Sequence, residues 1–218
     1  MPNLSRYAIH DLKAWVLPCL LIMLVMGCQL APDRATGTGQ DSNPGPVKGR
    51  PVDALLNLRV TEQGVGGIRP GLLFRADVVR QALPGFEILP QTWITEGEQY
   101  PVLDALLEET RVLTVVPDSS HRRVGAVWIH DSRVLDLLGH SVGARFETIY
   151  ARGAVGDCRR GPEEYSGAVI CQAPASNHLS YLFQGYWDGP DDQLPPEERM
   201  ATWVLSQIIW LAGGLENR

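Results

Sequence analysis

The sequence lacks a cluster of lysine and arginine downstream of its N-terminal segment, and its 19 basic residues are outnumbered by 25 acidic ones, for a net charge of -6. Neutralising nucleic-acid phosphates takes a concentrated basic patch, so no nucleic-acid partner is expected. No second pair of cysteines or histidines stands at metal-ligand spacing, which argues against a metal centre. Nothing else points to a bound cofactor. The longest apolar run, residues 14–26, is about 13 residues, short of the roughly 20 that a membrane-spanning helix requires. Only 4 cysteines occur among 218 residues. That length suits one folded domain with accessory segments.

What is present begins with that apolar run. Arg6 and Lys13 precede it, and together they form the basic and hydrophobic regions of a secretory signal over residues 1–27. The run ends at Val25-Met26-Gly27-Cys28, which resembles a bacterial lipobox, with a small residue directly before the cysteine. That resemblance implies a diacylglycerol on the Cys28 thiol and an acyl chain, palmitate, on its amine, giving a membrane anchor. Gln29, where an aspartate would favour inner-membrane retention, implies the inner leaflet of the outer membrane, facing the periplasm. Residues 28–51 are rich in Gly, Pro, Ser, Thr, Asp and Asn with almost nothing apolar to bury. Such a segment reads as a disordered tether with a reach of about 25 Å.

Residues 52–218 then read as a single globular α+β domain. Apolar residues alternate over Leu56–Thr61 as in a half-buried strand, and Phe74, Val78, Val79, Ala82 and Leu83 share a helical face ended by Pro84-Gly85. Strands are expected at Phe86–Ile88, Val102–Leu107, Val112–Val116, Val124–Ile129, Gly167–Cys171, Leu179–Tyr186 and Thr202–Trp210. The spacing Gly67-x-x-x-Gly71-x-x-Phe74 recurs as Gly139-x-x-x-Gly143-x-x-Phe146, where a second helix runs to about Arg152. A mainly antiparallel sheet with two short helices packed on one face follows, built of two helix-then-strands repeats.

Cys158 and Cys171 flank a short polar turn, and in an oxidising periplasm a pair at this spacing commonly forms a disulfide. With Cys19 lost in the signal and Cys28 lipidated, each cysteine has a role. Gly139-His140-Ser141-Val142-Gly143 has the G-x-S-x-G form of a nucleophile elbow, after the apolar run Val134–Leu138 and before a helix. A serine esterase would use Ser141 with His178, the one histidine that follows, and Asp157, Glu163 or Glu164 as the acid. The antiparallel character of everything after Leu179, and Arg69 at the serine position of the first repeat, favour a recurring turn instead. Asp188, Asp191 and Asp192 surround Gly189-Pro190 without the alternate spacing of an EF-hand loop, and read as a solvated turn.

Cys158, Cys171, His178-x-x-Tyr181-x-Phe183-x-Gly185-x-Trp187-x-Gly189-Pro190, Leu194-Pro195, Trp203-Val204 and Ile208-Ile209-Trp210 resemble the RpoE-regulated lipoprotein family. Glu62-Gln63-Gly64-Val65-Gly66 matches it as well, so the resemblance covers about residues 60–210. It implies an envelope lipoprotein of unknown function, with expression responsive to extracytoplasmic stress in some relatives. It carries over no catalytic or binding residue. The resulting expectation is a non-enzymatic binding or assembly module that holds a periplasmic or outer-membrane protein partner near the bilayer.

Overall fold

The computed structural model describes residues 54–55, 58–95, 97–152, 157–161, 165–190 and 193–215. The expected signal, Cys28 and the tether lie outside the described residues, as do Glu163, Glu164, Asp191 and Asp192. After helical residues 54–55 the described chain forms a hairpin of β1 (Val60–Thr61) and β2 (Gly64–Val65), and α1 (Ala76–Ala82) follows. Next come β3 (Glu87–Thr95), β4 (Glu98–Leu107), β5 (Thr110–Pro117) and β6 (Val124–Ile129). After α2 (Phe146–Ile149) the chain forms β7 (Cys158–Arg160), β8 (Ala168–Gln172) and β9 (Leu179–Gln184), then α3 (Glu197–Met200) and β10 (Val204–Leu211).

Strands β3 to β10 make one eight-stranded sheet in the order β3-β4-β5-β6-β10-β9-β8-β7. Every neighbouring pair is antiparallel. Two four-stranded meanders thus meet where β6 pairs β10, with Ile129 opposite Ile208 and Val127 opposite Trp210. The mainly antiparallel sheet is the architecture that the alternating runs imply, and β4 contains the strand expected at Val102–Leu107.

The local differences have physical causes. The first helix is shorter than its apolar face, ending at Ala82 ahead of Pro84. The second stops at Ile149, because Tyr150 adopts an extended backbone and turns into the core. Among the described residues three complete short helices stand rather than two: Pro196 at the N-cap and two glutamates in the first turn start α3, a segment too short for periodicity to reveal. Of residues 58–61 only Val60–Thr61 is strand, and residues 56–57 lie outside the described residues.

Leu179, Tyr181 and Phe183 pack in the larger buried cluster with Val127, Ile129, Leu205, Ile208 and Trp210 from the sheet, and with Val79, Phe146 and Met200 from the helices. The opposite face is buried too. Leu182, Ile170, Ala168, Ala126, Ile209 and Leu211 form a second cluster, with Trp128 and Tyr165 against it. Trp93 of β3 lies 5.4 Å from Trp128 of β6 although β4 and β5 intervene, and Trp128 lies 5.2 Å from Tyr165. Adjacent strands are about 4.8 Å apart, so these contacts require the sheet to curl toward that face. Curling explains why β9 is buried on both sides, whereas simple alternation would leave one side wet.

Candidate site at the β1–β2 hairpin and the β8–β9 turn

The serine expected at a nucleophile elbow sits in a different setting. The run Val134–Leu138 contains no strand; it belongs to the irregular connection from β6 to α2. Gly139 and Gly143 have φ of 83° and 94°, and the Gly143 N–H donates to the Leu205 carbonyl at 2.7 Å, so the glycines shape a loop stitched to β10. His178 is committed elsewhere. Its Nδ1 donates to the Leu211 carbonyl at 2.7 Å, and its ring stacks on Trp210 at 6.4 Å. Among the described residues no hydrogen bond joins Ser141 to His178 or exposed Asp157 to either. Asp188 instead pairs with Arg199 at 3.2 Å.

The imidazole that does enter a network near Ser141 is His140. The buried Asp136 carboxylate accepts the backbone N–H groups of Leu138 and His140 at 2.9 Å each through Oδ1. Its Oδ2 accepts the Tyr181 hydroxyl proton, and the same hydroxyl oxygen lies 2.9 Å from His140 Nδ1. Burial, and then the neighbouring carboxylate, push the Tyr181 phenol far above its ordinary value. The phenol therefore stays protonated and serves as a fixed donor, locking this loop to the sheet.

A comparable chain lies on the other face. Thr114 donates to Asp104 at 2.6 Å and accepts from His130 Nε2 at 3.0 Å, while the Arg111 guanidinium stands 3.7 Å from Asp104. Burial, then the Arg111 charge, lower His130 to about 4, against the opposing pull of Asp104. At neutral pH His130 is uncharged and can donate only through the tautomer that carries its proton on Nε2.

Cys158 and Cys171 are directly opposed in the β7–β8 register and joined by a disulfide, with an S–S distance of 2.02 Å. This closes the short edge strand β7 onto β8. Its partner β8 leads into the turn that carries the site.

At that turn two segments far apart in sequence converge. The tight β1–β2 hairpin places Glu62 and Gln63 at its tip, and glycine is required at 64 because a Cβ there would stand 1.9 Å from the Ile68 carbonyl oxygen. Ser176 donates its hydroxyl proton to Glu62 Oε1, and the Asn177 N–H reaches Oε2 at 3.3 Å. The same Ser176 oxygen accepts the N–H groups of His178 at 3.2 Å and Leu179 at 2.8 Å, and the Trp210 indole donates to the Glu62 carbonyl at 3.3 Å. Between the two segments opens a cleft of about 530 Å³ lined by Glu62, Gln63, Arg69, Pro70, Asn177 and His178. Arg69 is held at its wall by bonds from Nη1 to the carbonyls of Gly66 and Ile68, at 2.6 and 2.8 Å.

Chemically this cleft offers guanidinium, imidazole and amide groups around a carboxylate already occupied by internal donors. That arrangement suits hydrogen-bonded recognition of a polar group. Sequence reading picked out Glu62-Gln63-Gly64-Val65-Gly66 and the run from His178 separately. It missed Arg69 and the meeting of the two segments, because nothing in either motif names the other.

A mainly antiparallel α+β domain with a polar surface cleft is what fold and site define. Over residues 53–212 the chain matches the family described as Protein of unknown function (DUF1131), and it belongs to that family. It is 27% identical over 152 residues to the uncharacterized protein YfeY of Escherichia coli strain K12, across 70% of this chain and 78% of that one. The crystal structure of yfeY from Escherichia coli is similar to this fold, with a TM-score of 0.59 and 25% identity, over 70% of this chain and 99% of that one.

Proposed function

We propose that this chain is a lipid-anchored protein of the bacterial envelope, held through Cys28 to the inner leaflet of the outer membrane and facing the periplasm. In this reading it is a non-enzymatic binding or assembly module whose expression follows envelope stress, and its partner is a periplasmic or outer-membrane protein. The anchor is supported by the signal-like segment, the lipobox-like junction and the polar tether; the stress link is supported by the motif resemblance. The observation that carries the binding role is the Glu62–His178 cleft, where the two most motif-like segments meet. Its polar lining favours recognition of a charged or hydrogen-bonding surface.

The test is site-specific photocrosslinking in intact envelopes, from Gln63 at the cleft and from Gln99 on the β3–β4 hairpin. A discrete protein adduct formed only from Gln63, and lost on Arg69→Ala, supports the reading. Equal, unspecific adducts from both positions would remove its support. Mass measurement of the N-terminal peptide reports the diacylglyceryl and acyl groups on Cys28.

The two halves also read as copies of one helix-then-meander unit, with the helices over one face. Matched bonds support this. Phe74 N–H donates to Arg122 and Val124 N–H to Leu72 in the first half, as Phe146 does to Trp203 and Leu205 to Ala144 in the second.

A further inference from the structure

The connection after β6 places three large aliphatic side chains in solvent within four residues: Leu135 is 55% exposed, Leu137 46% and Leu138 38%. Scattered exposed leucines need no explanation, but a contiguous apolar group on a soluble surface marks a contact site. This loop is also rigidly built. Buried Asp136 between the leucines is fixed by Tyr181 and by the N–H groups of Leu138 and His140. The Asp136 N–H in turn donates to the His140 carbonyl at 3.0 Å, and Gly139 N–H to the Asp136 carbonyl at 3.1 Å. With the carboxylate pinned inward, its leucine neighbours are held out, and little conformational entropy is left to lose on contact.

The position of the loop indicates what covers it. Val60 of β1 bridges to Asp136 in parallel, so the loop lies beside a strand that starts six residues after Ala54, the first described residue beyond the polar segment 28–51. Arg59, exposed beside β1, adds positive charge next to the loop, while Arg133 ahead of it is paired with Asp131 at 2.6 Å. Protein–protein hot spots are rich in Trp, Tyr and Arg and poor in Leu, whereas leucine partitions readily into acyl chains. Basic side chains beside an apolar group complement anionic lipid headgroups.

We propose that Leu135, Leu137 and Leu138 form a membrane-seating loop that enters the acyl boundary of the bilayer, setting how the domain stands on it. This rests on the lipid-anchor reading, because a loop this small needs an anchor to raise its effective concentration at the surface.

The experiment uses the mature lipidated chain carrying Leu137→Cys, spin-labelled and reconstituted into vesicles of phosphatidylethanolamine and phosphatidylglycerol. The native cysteines are occupied, Cys158 and Cys171 by their bond and Cys28 by lipid, so the label reports one site. A second chain carries Gln99→Cys, at the opposite end of the strands. The expected result is a label at 137 that collides more with oxygen than with a water-soluble nickel chelate, and a label at 99 with the reverse preference. A membrane-bound protein whose 137 label meets nickel as readily as the 99 label overturns the proposal, as does shielding from both probes, which marks a protein contact. A Cys28 peptide without diacylglyceryl mass, in a protein that stays aqueous, instead fails the anchor reading and takes the loop proposal with it.

Discussion

Ser176 gives its hydroxyl proton to the carboxylate of Glu62, 114 positions earlier in the chain. One serine oxygen thereby organises the β8–β9 turn, accepting two backbone N–H groups while its proton ties down the first hairpin. Removing Glu62 leaves a buried hydroxyl and the Asn177 N–H without their acceptor. Hydrogen bonds to a charged group contribute about 1.5–3 kcal/mol, so Glu62→Ala is expected to cost about 2 kcal/mol in urea unfolding. Amide exchange at Gly64–Ile68 should accelerate more than exchange in β5 and β6, because the hairpin has lost its tether.

His130 makes the fold sensitive to mild acid. Its folded value of about 4 lies below the ordinary 6.5, so below pH 6.5 the unfolded chain takes up a proton that the folded chain refuses. Its share of stability is full above about pH 6.5 and is lost as pH falls toward 4, an effect of about 3 kcal/mol at most. His130→Leu should flatten the stability profile between pH 6.5 and 4. An unchanged slope would place the acid sensitivity elsewhere.

The disulfide closes a loop with a sequence separation of 13, for which the chain-entropy relation gives about 3 kcal/mol. Cys158→Ala with Cys171→Ala should lower stability by that order, measured by denaturant midpoint at constant slope. Exchange protection should fall first in β7, an edge strand that among the described residues pairs with β8 alone.

Gly185 faces the Trp203 ring so closely that an added Cβ would stand 2.2 Å from Cδ1. Gly185→Ala must push the buried indole out of place, and overpacking of this kind costs about 1–3 kcal/mol. Near-ultraviolet circular dichroism should report the displaced tryptophan, with far-ultraviolet signal retained.

Fluorophosphonate labelling of the folded domain is expected to give no adduct at Ser141, since no base stands in hydrogen-bond contact with it in the described structure. Labelling that Ser141→Ala abolishes would make the loop a catalytic site and overturn the binding-module reading.

The sheet was legible where side-chain pattern is local. Val112–Val116 and Val124–Ile129 show their apolar runs plainly and form β5 and β6. The strand β7 and the helix α3 are too short for any period to register, and α3 rests on Pro196 and its glutamates. At the site, Glu62 and His178 each stood in a recognisable motif. Arg69 stood only at the serine position of the first repeat, and its place at the cleft wall comes from bonds to backbone carbonyls.

The sequence alone determined the antiparallel character of the domain, because alternation with period two commits each run to one face of a pleated strand. Tertiary structure decided the rest. It joined the two meanders through β6 and β10, and it curled the sheet until Trp93 met Trp128. It also turned a serine motif into a loop and brought Glu62 to Ser176. Those outcomes depend on contacts between residues far apart in the chain, whose energies exist only once the strands are paired and the second face is closed from water.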